Sequence, residues 1–132
     1  MKKLNQILFS FISIILIDLN SFSFANEKEL VSKNISVIDG DTILLNNYKI
    51  RFSGIDAPES YFRGKMQICF QNKKKILCGH QAKKKLTQKI GNNTVKCLLE
   101  KKKDIYNRIL AECFIKDESL SVFMVKNGYA FD

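Results

Sequence analysis

Between residues 34 and 55 short β-branched and apolar runs alternate with turn formers. Residues 34–38 and 42–45 are two such runs, and Asp39-Gly40 between them is a hairpin signal because glycine accepts positive φ. Asn46-Asn47 marks a second turn, leading into a third run over 48–55. The pattern therefore predicts a three-stranded meander. Residues 56–78 show no sustained period and read as a loop. Ala82, Leu86 and Ile90 then recur at helical spacing, which predicts a helix over 81–90 stopped by Gly91. Residues 94–99 and 108–115 read as two further strands. A last helix spans about 119–127, with Leu120, Phe123 and Met124 on one face and Gly128 as its stop. The order β-β-β-α-β-β-α implies a mainly β domain with helices, built as a five-stranded OB-fold-like barrel.

The first 25 residues fall outside that pattern. Lys2 and Lys3 precede an apolar run over 7–17, and Ser23-Phe24-Ala25 supplies small residues at cleavage spacing. The run ends at Asp18, well short of the ~20 residues a membrane span needs. The expectation is a signal peptide at 1–25 and one domain over 26–132, exported to the periplasm or the extracellular space. Such a protein keeps no stable membrane association after cleavage and is expected to be a monomer.

Charge narrows the partner. The chain carries a net charge of +9, and removing the leader leaves +8. A small basic exported domain suits a polyanion. Four cysteines remain in the domain, Cys69, Cys78, Cys97 and Cys113. They include no C-x-x-C pair, and His80 is the single histidine, so a zinc site is excluded and two disulfides are expected. Four cysteines allow three pairings. An antiparallel pair of the last two strands around a turn near residue 105 sets Cys97 opposite Cys113, leaving Cys69 with Cys78. Closing the larger ring contributes about 3 kcal/mol in the chain-entropy account. His80, at the start of the first helix, has no assigned role.

Candidate chemistry centres on four acids: Asp39, Asp41, Asp56 and Glu59. With the Asn46-Asn47 turn at the far end of the hairpin, Asp41 and Asp56 reach the same sheet edge. Two carboxylates brought together repel unless a cation or proton separates them. An all-oxygen donor set without His or Cys suits calcium. Arg51 sits within an otherwise apolar strand and needs an anion, either Asp39 or Glu59 internally or a ligand. Arg108 follows Tyr106, which can stack on a base or close the barrel.

"VIDGDT", "RFSGIDAPES" and "YNR" before "LAECF" together resemble the staphylococcal-nuclease-like (thermonuclease) family, exported bacterial type, over about residues 36–132. The resemblance implies side-chain calcium ligation by Asp41 and Asp56, a backbone carbonyl ligand from Ala57, and Asp39 close behind them. It implies catalytic roles for Arg51, Glu59 and Arg108: Glu59 on the attacking water, the arginines on the phosphoryl oxygens. Tyr106 and Lys101, Lys102 and Lys103 would bind substrate. The implied activity is secreted, calcium-dependent hydrolysis of DNA and RNA, single strands best, leaving 3′-phosphate ends. The alternative is a non-catalytic or decayed OB-type nucleic-acid-binding module. The chain departs from the family pattern at Ala57, where threonine is commoner, at Asn107 in place of glycine and at Ile105 in place of lysine. Family members also continue beyond "GYAFD" into a third helix, so a C-terminally short domain with one barrel face uncovered is expected.

Overall fold

The structure, a computed structural model, describes residues 28–132; the signal peptide expected at 1–25 lies outside the described residues. The elements are β1 (Glu29–Ser32), β2 (Ile35–Asp39), β3 (Thr42–Leu45), β4 (Tyr48–Phe52), β5 (Cys69–Gln71), β6 (Lys74–Ile76), α1 (Cys78–Ile90), β7 (Val95–Lys103), β8 (Ile109–Ile115), β9 (Glu118–Ser119) and α2 (Leu120–Lys126).

The β2–β3–β4 meander forms as expected, with Val37 opposite Ile43 and Ile43 opposite Ile50. Asn46 adopts a φ of 54° in its turn, a conformation asparagine tolerates. β4 then pairs in parallel with β8, Arg51 opposite Leu110, and β8 pairs antiparallel with β7. Strand order runs β1-β7-β8-β4-β3-β2. Its two ends, β1 and β2, are joined through Lys33 and Asn34 alone. The path therefore curls back on itself as two halves of one bent strand, the OB-type arrangement. Period-2 alternation sorts the side chains. Ile50, Phe52, Ala111 and Cys113 point into the core, where Ala82 and Leu86 of α1 and Leu120 and Met124 of α2 meet them. Arg51 and Leu110 take the opposite face.

Cys97 lies opposite Cys113 in the β7–β8 register and is bonded to it; Cys69 is bonded to Cys78. Both helices match the apolar pattern. α1 starts at Cys78, three residues earlier than the spacing of Ala82, Leu86 and Ile90 reveals. α2 is capped by the Ser119 hydroxyl, which accepts from the Val122 amide.

Beyond the short β9, three features exceed the sequence expectation: β1, the β5–β6 hairpin and the length of β7. β1 contributes only Leu30 to the core, too little for a visible period. The region 56–78, read as a loop, contains the β5–β6 hairpin, whose turn residues Asn72 and Lys73 have φ of 49° and 65°. That turn lacks the glycine that normally announces it. β7 runs on to Lys103, so the three lysines expected in a loop lie on an extended strand instead. Among the described residues no helix is long and apolar enough to cross a membrane.

Gly40 is needed for a different reason from the one its turn suggests. It is absent from the positive-φ glycines, and a Cβ there would lie 2.7 Å from the Ala82 Cβ and 2.9 Å from the Ala57 Cβ. Its hydrogen lets the hairpin tip touch α1 and the segment after Asp56. Gly40→Ala should therefore destabilise the protein by about 1–3 kcal/mol, read as a lower urea midpoint with unchanged m.

Candidate active site

Asp41 closes the β2–β3 turn, and the Phe52 amide donates to its carbonyl at 2.8 Å, fixing it beside the end of β4. Its side chain is only 2 % exposed. A buried carboxylate must be fully bonded to stay charged. The Thr42 hydroxyl donates to Oδ1 at 2.8 Å, and the Ala57 amide to Oδ2 at 2.7 Å. Arg51 Nη1 completes the shell at 2.7 Å from Oδ2. Its Nη2 reaches Asp56 Oδ1 at 2.5 Å and the Ile55 carbonyl at 3.2 Å. One guanidinium thus bridges a buried and an exposed carboxylate, Asp56 being 80 % exposed. Burial alone would weaken Arg51's hold on its proton. Asp41 and then Asp56 more than reverse this, and its pKa is raised. Arg51 therefore finds its anions in Asp41 and Asp56, not in Asp39 or Glu59.

The other acids are held by both main chain and side chains. Asp56 and Phe131 exchange two backbone bonds of 2.8 and 2.9 Å. The Glu59 amide donates to Gln67 Oε1 at 2.8 Å. Asp39 Oδ1 accepts from the Ser60 amide at 2.8 Å and from its hydroxyl at 2.5 Å. Burial, then the neighbouring Asp39 and finally Asp41, push the Glu59 carboxyl above its ordinary pKa, with Arg51 opposing them. The start of α1 presses on this segment: a Cβ on Gly79 would lie 1.8 Å from the Glu59 carbonyl oxygen.

Arg108 stands apart. It precedes β8 on the strand face that carries Leu110, the partner of Arg51, so it lies about 7 Å further along at ~3.3 Å per residue. Asp104 holds it: Oδ2 accepts from Arg108 Nε at 2.6 Å, and Oδ1 from the Arg108 amide at 2.8 Å and the Tyr106 amide at 3.0 Å. The guanidinium carbon sits 5.3 Å from the Tyr106 ring centroid. Asn107 has a φ of 61°, so asparagine fills the position the family gives to glycine. Lys101, Lys102 and Lys103 are exposed on the β7 arm leading into this turn.

The structure thus gathers Asp41, Arg51, Asp56 and Ala57 into one cluster, sets Glu59 and Asp39 beside it, and places Tyr106 and Arg108 on a separate arm. Sequence reading missed Asp104, Thr42 and Gln67. Asp104 was open to detection, because an aspartate two residues before an unpaired amide is an Asx-turn signal. Gln67 was not, since only the fold of the loop brings it to Glu59. Among the described residues no group of three or more His, Cys, Asp or Glu side chains is arranged to hold a metal. The pair Asp41–Asp56 nevertheless gathers oxygen donors alone around one positive charge, the Arg51 guanidinium, and this chemistry fits a hard cation that keeps part of its water shell.

Asp104 gives a pH-dependent prediction. Desolvation would raise its pKa, but the bonds from Arg108 and Tyr106 outweigh it and the pKa is lowered. A depressed folded-state pKa means stability present above the unfolded value and lost as pH falls through the folded one. Asp104→Asn should therefore be less stable than wild type at neutral pH. The gap should close in acid, read from paired thermal melts. Gly79→Ala should displace the Glu59–Ser60 peptide, seen as shifted amide resonances for Glu59, Ser60 and Gln67.

The sequence profile described as staphylococcal nuclease homologue matches residues 49–132. The chain is also 34 % identical over 110 residues to "Endonuclease YhcR" of Bacillus subtilis (strain 168), covering 71 % of this chain. It spans 8 % of that longer relative. The profile takes in Arg51, Asp56, Glu59, Tyr106 and Arg108, while Asp39 and Asp41 lie just before its start. With the OB-type strand order and the clustered acids and arginine, the match shows that this chain belongs to the staphylococcal nuclease homologue family.

Proposed function

We propose that the protein is an exported, calcium-dependent nuclease that hydrolyses phosphodiester bonds of single-stranded DNA and RNA. The observation that carries this is the Arg51 guanidinium bridging buried Asp41 and exposed Asp56, with Glu59 beside it and its pKa raised. Asp41, Asp56 and the Ala57 carbonyl are the groups that would hold calcium. When bound, calcium would neutralise charge on the scissile phosphate and free Arg51 from its carboxylates.

The chain's own groups divide the remaining work. Arg51 and Arg108 offer paired N–H donors to the anionic oxygens, strongest where charge accumulates in the transition state. Glu59 accepts a proton from the attacking water, and its raised pKa makes it a stronger base than an ordinary carboxylate. Asp39 positions the Glu59–Ser60 segment through Ser60. Tyr106 and the lysines 101–103 guide the strand toward Arg108. Two disulfides among the described residues support an oxidising compartment and an exported domain over 26–132 behind a leader at 1–25. The working state in this reading is a monomer.

Cleavage of single-stranded DNA should require calcium and stop in chelator; full activity in chelator would remove the metal assignment. Glu59→Gln and Arg108→Ala should each lower turnover at least about a hundredfold with unchanged circular dichroism. Binding without any cleavage by wild type would favour a non-catalytic module.

A further inference from the structure

Apart from Gln67, residues 61–77 have no role in the chemistry above. They hold the β5–β6 hairpin, tied at its base by Cys69–Cys78, and a tight turn in which Phe62 and Lys65 exchange backbone bonds of 2.8 and 3.0 Å. The segment turns apolar groups outward. Tyr61 is 67 % exposed, Phe62 57 % and Phe70 70 %. Arg63, Lys65, Lys73, Lys74 and Lys75 lie among them, and no acid occurs between Ser60 and Leu77. Aromatic rings left in water and interleaved with cations are what an unpaired nucleotide strand recognises: rings take the base faces and cations take the phosphates. The Arg63 guanidinium already stacks over Phe62, 5.1 Å from the ring centroid.

Location identifies the strand's path. A groove of about 440 Å³ is lined by Glu59 together with Phe62, Arg63, Lys65, Met66 and Gln67. Gln67 is the residue that holds the Glu59 amide. A strand whose phosphate lies at Glu59 is thus next to this groove.

We propose that this disulfide-tied segment is a nucleobase-stacking subsite. Phe62 takes the face of an unpaired base next to the scissile phosphate, Tyr61 extends the stack, and Arg63 and Lys65 hold the adjoining phosphates. The subsite rests on the nuclease reading and deepens it. It selects single strands, because bases in a duplex offer no free face. Its residues come from the loop and not from the Tyr106–Arg108 arm, so a substrate would be gripped on two sides of the cluster.

The test compares wild type with Phe62→Ser and Phe62→Trp, on a single-stranded oligothymidylate and on methyl 4-nitrophenyl phosphate, a phosphodiester that carries no nucleobase. Phe62→Ser should raise KM for the oligonucleotide about tenfold, leave kcat and the small substrate unchanged, and be rescued by Phe62→Trp. An unchanged oligonucleotide KM in Phe62→Ser, with wild type active, would overturn the subsite alone. Equal loss on both substrates would mean a structural effect and also overturn it. A wild type that cleaves neither substrate would overturn the nuclease reading and the subsite together. Tight binding of phosphatidylglycerol vesicles through Phe62, with oligonucleotide KM unmoved, would assign the surface to membrane instead.

Discussion

A single guanidinium holds two carboxylates in this protein, and the site is arranged around that bridge. Asp41 is buried at the tip of the β2–β3 hairpin, where an unpaired charge would cost several kcal/mol. Three neighbours make its burial tolerable: the Thr42 hydroxyl, the Ala57 amide and Arg51. The Ala57 bond draws the segment after β4 onto the hairpin, and Arg51 holds Asp56 on that segment. Gly40 allows the closeness that this geometry demands. The bridge thus joins local turn chemistry, β-sheet register and the placement of Glu59 in one unit.

The same charges explain why the remaining groups are built as they are. Glu59 lies near Asp39 and Asp41, so ionising it works against its neighbours. Ser60, Gln67 and the close approach of Gly79 fix its backbone from three sides. Arg108 carries its own counter-ion in Asp104, which also orders the turn before it. Arg51 and Arg108 are thus each held in place by acids of the site.

Much of this was legible in the sequence. The helix spacing of Ala82, Leu86 and Ile90 and the alternation around Ile50 and Phe52 follow from periods of 3.6 and 2, the opposed Cys97 and Cys113 from antiparallel register about a turn near residue 105, and the structure reproduces them. The meeting of Asp41 with Asp56 followed from turn placement alone. What stayed hidden depends on tertiary approach. Asp39 and Glu59 are the internal partners the sequence suggests for Arg51 beside a ligand anion, and Asp41 and Asp56 take that place instead, because sequence cannot say which of four carboxylates falls within a side chain's reach. The β5–β6 hairpin carries no buried stripe, so its residues offer no period to read. Gly40 and Gly79 answer to contacts with distant backbone and side chains, which no local signal encodes.

The central claim is that Asp41 and Asp56 form one cation site, occupied by Arg51 until a metal binds. Urea unfolding of wild type and Arg51→Gln, each with calcium and with chelator, measures this directly. In chelator the variant should lose about 3 kcal/mol, since one buried carboxylate is left unpaired. Calcium should restore most of that loss and stabilise the variant more than wild type, because the metal there replaces a missing charge. An Arg51→Gln variant as stable as wild type in chelator, or one that calcium fails to stabilise, would contradict the account.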